Sequence, residues 1–312
     1  MPDGPSPLRA PGRSRCWAAG LGVALLAVLP GLPHLPRPAF ADDLRLAVRL
    51  APAEARQGGV SVLSVQWSSP IRGLRVRVGD REIPALSPDE LTRWVVLIGI
   101  DLEQRPGTLA IRADAVDGSG RALTGQGTLR VLDAHFPVQR LTVPRPFVDL
   151  DAASLERVDR EKTLLDRLWE TLTPERFWRD PFRVPLDGAG PAYGFGLRRI
   201  INGEPRAAHT GADFAASPGS PVLAANAGIV ALVADHFFAG RSVILDHGLG
   251  LYTMYFHLQE SLVRPGQRVE RGQAIARVGS TGRATGPHLH WGARLYGTRI
   301  DPRELLKPLP LE

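Results

Sequence analysis

The sequence predicts a mainly β protein: an N-terminal β module, one amphipathic linker helix and a C-terminal compact antiparallel β domain. Three observations predict it. Apolar and polar residues alternate through 43–132, the apolar spacing becomes helical over 152–172, and short β-branched runs broken by glycine and proline turns resume after 187. The 33 glycines and 28 prolines among 312 residues suit many short strands joined by turns.

At the start of the chain, Arg9, Arg13 and Arg15 precede the apolar run CWAAGLGVALLAVLPGL, and AFA at 39–41 places small residues where a signal peptidase cuts. Residues 1–41 therefore read as a secretory signal peptide, and the mature chain is exported to the periplasm or cell envelope. A membrane span needs about 20 apolar residues; this run is shorter and Pro30 and Pro33 interrupt its end, so no stable span is expected after cleavage. Cys16 is the only cysteine and lies ahead of the run, which leaves the mature chain with neither a thiol nucleophile nor a disulfide.

Residues 42–135 carry the first strands. Leu44, Leu46, Val48 and Leu50 alternate with Arg45 and Arg49, and Leu74, Val76 and Val78 repeat the pattern. VSVLSVQW, RWVVLIGI and GTLAIRADAVDGSG continue it at short spacing, which predicts an immunoglobulin-like β-sandwich without chemistry of its own. A linker spans 136–186. Within it Leu155, Val158, Leu165, Leu168 and Leu172 recur at helical spacing, with Asp151 or Ser154 as cap and Pro174 as stop, predicting a helix over 152–172.

The last segment, 187–312, holds six of the eight histidines, all between 209 and 290. In TGPHLHW, His288 and His290 are two apart, so in a strand both rings project from one face. In HTGADF, His209 and Asp213 are four apart, roughly 13 Å in a flat strand, so sharing a metal requires a turn, for which Gly211 is the candidate. His209, Asp213 and one histidine of the H-x-H pair make two imidazoles and a carboxylate. That set leaves a fourth zinc position open for water, as catalytic sites require. In YTMYFHL, strict alternation puts His257 on the face of Leu251, Thr253 and Tyr255. His236 and His247 read as structural or solvent-facing.

Rival chemistries find no support. There is no G-x-S-x-G elbow, and GSTGRATG at 279–286 lacks the Lys-Ser/Thr ending of a phosphate loop, so it reads as a flexible wall of the site. The formal charge of +6 and pI near 10.2 favour an anionic partner. Without a dense Lys/Arg tract interleaved with aromatics, that partner is not expected to be nucleic acid.

HTGADFAA, MYFHL, GSTGRATGPHLHW and the closing DP at 301–302 together resemble the LytM/lysostaphin-type zinc endopeptidases that cut peptidoglycan peptides, over roughly 194–302. The resemblance implies a metallopeptidase domain over 187–312 with one zinc per chain, held by His209, Asp213 and His290. It assigns His257 and His288 to catalysis, His288 as general base, with peptidoglycan as partner. A degenerate member that only binds wall or activates another hydrolase is the alternative, but such members lack ligands and none is missing here. Staphylococcal-type members place a tyrosine a few residues before the first ligand as an oxyanion donor. NGEPRAAH has none, which leaves that role to His257 and the metal, or to a residue that these motifs do not identify. Finally, 43–172 are expected either to bind wall polymer and help the enzyme or, the favoured reading, to lie across the groove and occlude it, since the helix must bury its apolar stripe on the nearest surface. The 187–312 fragment should then cleave a small substrate faster than the mature chain.

Overall fold

One strand, Val60–Val78, organises the N-terminal module. Its first part pairs antiparallel with Ala47–Ala51 and Leu91–Gly99, and its second with Arg81–Pro84 and Gly107–Asp117. Register shifts after Gln66 and after Arg72 let it turn between the two sets of partners. The result is a single seven-stranded hydrogen-bonded sheet whose inward residues, among them Leu63, Val65, Ile71, Val76, Ile98 and Leu129, share one core. The computed structural model describes residues 45–85, 91–142 and 150–309; the expected signal peptide lies outside them. Among the described residues no helix is long and apolar enough to cross a membrane.

The other face of the same strand does different work. Val60 and Val62, with Leu97 from the neighbouring strand, pack into the core of the C-terminal module beside Leu295 and Ile300. A polar clamp closes that junction: Arg299 donates to Asp101 at 2.6 and 3.0 Å and to Glu103 at 2.8 Å, and Arg81 donates to Thr298 at 2.6 Å. Of the segment expected across the groove, the N-terminal sheet packs elsewhere, and only the helix lies on the face of the histidines. The N-terminal sheet packs with Leu295 and Ile300 on the core face of the C-terminal sheet, and His288 and His290 project from the other face.

The helix forms at Ala152–Glu170, with Asp151 as N-cap accepting from the Ser154 backbone N–H at 2.7 Å. It ends two residues short of expectation, at Thr171, whose carbonyl accepts from the Tyr252 hydroxyl at 2.8 Å. Its anchor was not in the predicted stripe. Trp169 is the buried residue, edge-on to Tyr252 at 5.4 Å and packed with Ile244 and Met254; Leu165 and Leu168 of the predicted stripe pack against this cluster, whereas Leu155 and Leu172 stay exposed. Further back, the Glu161 carboxylate accepts from the Phe237 N–H at 2.9 and 3.0 Å.

The C-terminal module is built on an antiparallel sheet in the order Gly211–Ala215, His288–Leu295, Leu251–Ser261, Gly240–Asp246, Gly228–His236, Arg268–Val269. Leu289, Trp291 and Ala293 point into the core with Ala212, Phe214, Leu251 and Tyr255. By alternation, His288 and His290 point to the opposite face, which also carries Asp213, Met254 and Phe256. The helix packs on that face through Tyr252 and Met254, beside the histidines.

Candidate metal centre

Register brings the ligand candidates together. Asp213 sits directly opposite His290, and His290 directly opposite Phe256 on its other side. The His290 ring stacks on Phe256, centroids 5.3 Å apart and 4° from parallel, which fixes its plane. Its Nδ1 lies 3.0 Å from Asp213 Oδ1 and 3.0 Å from His209 Nε2, and the third edge, His209 Nε2 to Asp213 Oδ1, is 3.2 Å. Four-coordinate zinc with bonds of about 2.0–2.1 Å needs ligand atoms roughly 3.3 Å apart, so the triangle fits such an ion after a small relaxation. Burial alone would raise the Asp213 carboxyl, but hydrogen bonds from His209 and His290 hold it well below the usual carboxylate range.

Gly211 is not the turn that was expected: it opens the strand with no left-handed φ, and His209 and Thr210 precede it in irregular backbone. The glycine is needed for space: a Cβ there would lie 2.4 Å from His290 Nε2. Gly194 plays the matching part on the far side, where a Cβ would stand 2.8 Å from His209 Nδ1. His209 is pinned by its backbone, which donates to Leu197 O at 3.0 Å and accepts from Gly196 N at 2.8 Å.

His257 is not on the face that alternation predicted. The Arg241–Val243 segment spans one residue where Tyr255–Leu258 spans two, so a β-bulge falls at Phe256–His257, and His257 takes a left-handed φ of 61°. The bulge swings the ring out of the core to lie 4.7 Å from the His288 ring and 6.0 Å from that of His290. Its Nδ1–H donates to Thr281 O at 2.9 Å, and His288 Nδ1–H donates to Gly286 O at 2.8 Å. A carbonyl can only accept, so each neutral ring keeps its lone pair on Nε2. Burial lowers the His257 pKa to about 4, against the opposing pull of the Thr281 carbonyl. His288 Nε2 stands 3.9 Å from Asp213 Oδ1, outside the ligand triangle.

The 279–286 segment is a wall, as expected, but an anchored one. Thr281 Oγ1 donates to Leu258 O at 2.8 Å and accepts from Arg241 N at 2.9 Å. His236 and His247 are both buried and structural. His236 Nδ1 meets Ser242 Oγ at 2.7 Å, and His247 bridges Ala227 O and Thr253 Oγ1, each at 2.7 Å.

Residues 207–302, which contain every side chain of this cluster, match the profile of Peptidase family M23. The C-terminal module is an M23 peptidase domain. Curated relatives similar to it include the peptidoglycan DD-endopeptidase ShyC of Vibrio cholerae, 39% identical over 128 residues, 40% of this chain and 29% of that one. The DD-carboxypeptidase/endopeptidase Mpg of Neisseria meningitidis is 40% identical over 102 residues, 33% of this chain and 24% of that one. The chain thus spans less than a third of the length of either relative. Among solved structures, a Pseudomonas aeruginosa protein assigned to peptidase M23 is similar with 29% identity and a TM-score of 0.59, over 80% of this chain and 94% of that one. That likeness extends beyond the M23 domain into the N-terminal module.

A tyrosine does reach the M23 site, although none precedes His209 closely. Tyr193 forms an antiparallel bridge with Asp213, exchanging backbone hydrogen bonds of 2.8 and 3.2 Å. Directly opposed residues project from the same face about 5.5 Å apart at Cα, so the Tyr193 side chain, 57% exposed, rises beside the ligand triangle. The hairpin of Arg198–Ile201 and Glu204–Arg206 intervenes and carries the tyrosine sixteen residues upstream of His209. The signal that could have found it is AYGFG, a glycine-flanked tyrosine at the start of the strand pattern.

Proposed function

We propose that this chain is a zinc-dependent endopeptidase that hydrolyses amide bonds in peptidoglycan peptide stems or crosslinks. The observation that carries the reading is the closed ligand triangle of His209, Asp213 and His290 with two Nε2 lone pairs beside it on one sheet face. The relatives named as peptidoglycan DD-endopeptidases support the substrate class. On this reading 1–41 deliver the chain to the cell envelope, and the immunoglobulin-like N-terminal module braces the peptidase domain.

His209 Nε2, Asp213 Oδ1 and His290 Nδ1 would hold one zinc ion, which supplies Lewis acidity and lowers the pKa of water to about 7. His288 is the general base. Its Nδ1–H is committed to Gly286, so Nε2 takes the proton from the attacking water and returns it to the leaving amine. His257 is fixed the same way by Thr281, and its Nε2 accepts a hydrogen bond in the site. A neutral ring so held has no second N–H to offer an oxyanion, which gives that role to the Tyr193 hydroxyl.

Tyr193→Phe is accordingly expected to lower kcat by about 10² at nearly constant KM, the usual consequence of removing one oxyanion donor. An unchanged kcat on a soluble crosslinked muropeptide would remove Tyr193 from the mechanism. The function itself is tested by digesting peptidoglycan of several chemotypes with the zinc-loaded mature chain. Mass spectrometry should show crosslinked muropeptides converted to species with new amine and carboxyl termini. Intact muropeptides in every chemotype would instead favour the non-catalytic, wall-binding alternative.

A further inference from the structure

We propose that Arg199, Arg206 and Arg283 form a carboxylate-recognition site at the mouth of the metal centre, which selects peptide substrates bearing free carboxylates; this rests on the groove being a peptidase site. The three arginines come from two segments that adjoin the metal centre. Arg199 and Arg206 lie on the hairpin that rises from His209, where the His209 backbone is tied to Gly196 and Leu197. Arg283 lies on the other segment, two residues beyond the Thr281 that holds His257. Its guanidinium sits 4.2 Å above the Phe238 ring, and its backbone N–H donates to Phe238 O at 2.9 Å.

The arrangement is costly for folding alone. Arg199 and Arg206 are directly opposed in the antiparallel pair, and like charges so placed are destabilising. Desolvation and then the charges of Arg199 and Arg206 loosen the hold of Arg283 on its proton. Among the described residues the only acid paired with any of the three is Glu204, 2.9 Å from Arg206. Three guanidiniums and one carboxylate leave a net positive focus, and guanidinium forks match carboxylates in bidentate geometry. A peptide carboxylate entering the groove satisfies the cluster that the fold leaves unsatisfied.

The test measures binding separately from turnover. The full mature chain carrying His288→Ala, loaded with zinc, is titrated with a fluorescent stem-type peptide bearing free carboxylates and with its amidated twin. The free peptide should bind about tenfold tighter or more, as expected for charge-assisted hydrogen bonds. Adding Arg199→Ala and Arg283→Ala should collapse the preference with no change in melting temperature, and Arg283→Lys should restore part of it. Equal affinity for the two peptides, or a preference that survives the double replacement, overturns the proposal. Displacement of the free peptide by equimolar glycerol phosphate oligomer would also overturn it, in favour of a phosphodiester polymer. A wild-type chain that digests no peptidoglycan would defeat the endopeptidase reading while leaving this binding preference to stand or fall alone.

Discussion

His209→Ala is expected to retain no zinc after dialysis and to show only background hydrolysis, whereas His288→Ala keeps its zinc and loses about 10²–10⁴ in turnover, the span of a positioned general base. The contrast follows from the geometry. Removing the His209 ring deletes one vertex of a triangle with edges of 3.0–3.2 Å, and a two-ligand site binds far more weakly. His288 is outside that triangle, 3.9 Å from Asp213, and tied by Nδ1 to a backbone carbonyl, so its loss leaves the ligands where they are. Elemental analysis and single-turnover kinetics on the same preparations decide it. Stoichiometric zinc in His209→Ala would refute the ligand set. Loss of zinc from His288→Ala would mean that the two histidines of the pair exchange roles.

The 187–312 fragment is expected to fail to fold, in contrast to the faster enzyme that the sequence pattern suggested. Truncation at 187 removes Trp178, Phe182 and Leu186 from the peptidase core, along with Val60, Val62 and Leu97 from the N-terminal sheet. It also removes Trp169, which covers Tyr252, Ile244 and Met254. Loss of one core Phe or Trp side chain costs about 3–5 kcal/mol, and a domain's whole stability is about 5–15 kcal/mol, so three aromatics together match most or all of it. Val60, Val62 and Leu97 of the N-terminal sheet pack with Leu295 and Ile300 on the core face, opposite to the face of His288 and His290, so that sheet does not lie over the two rings. Circular dichroism should show no cooperative thermal transition for 187–312 and a sharp one for the mature chain. A fragment starting at residue 150 keeps the three aromatics and should recover part of the transition. A cooperative melt of 187–312 within a few degrees of the mature chain would show that these contacts are dispensable.

Which parts of this were legible in the sequence depends on how local the physics is. A strand's period of two belongs to one segment, so His288 and His290 were placed on one face from TGPHLHW alone, and Asp151 was one of two caps marked by their own neighbours. The ligand residue types also needed no fold, since imidazole and carboxylate are zinc donors whichever segments carry them. What the sequence could not supply was which segments meet. The bulge that turns His257 into the site exists because Gly240–Asp246 offers one residue against two, a mismatch visible only once the strands pair. Tyr193 joins Asp213 across a hairpin that sequence proximity cannot see past. Gly211 looked like a bend and proved to be room for a ring on another strand. Trp169 outranked the predicted leucines because burial of a helix face is decided by the surface it lands on. Local periodicity is a property of one segment's backbone; register, clash and burial are properties of pairs of segments, and only the tertiary structure decides which pairs form.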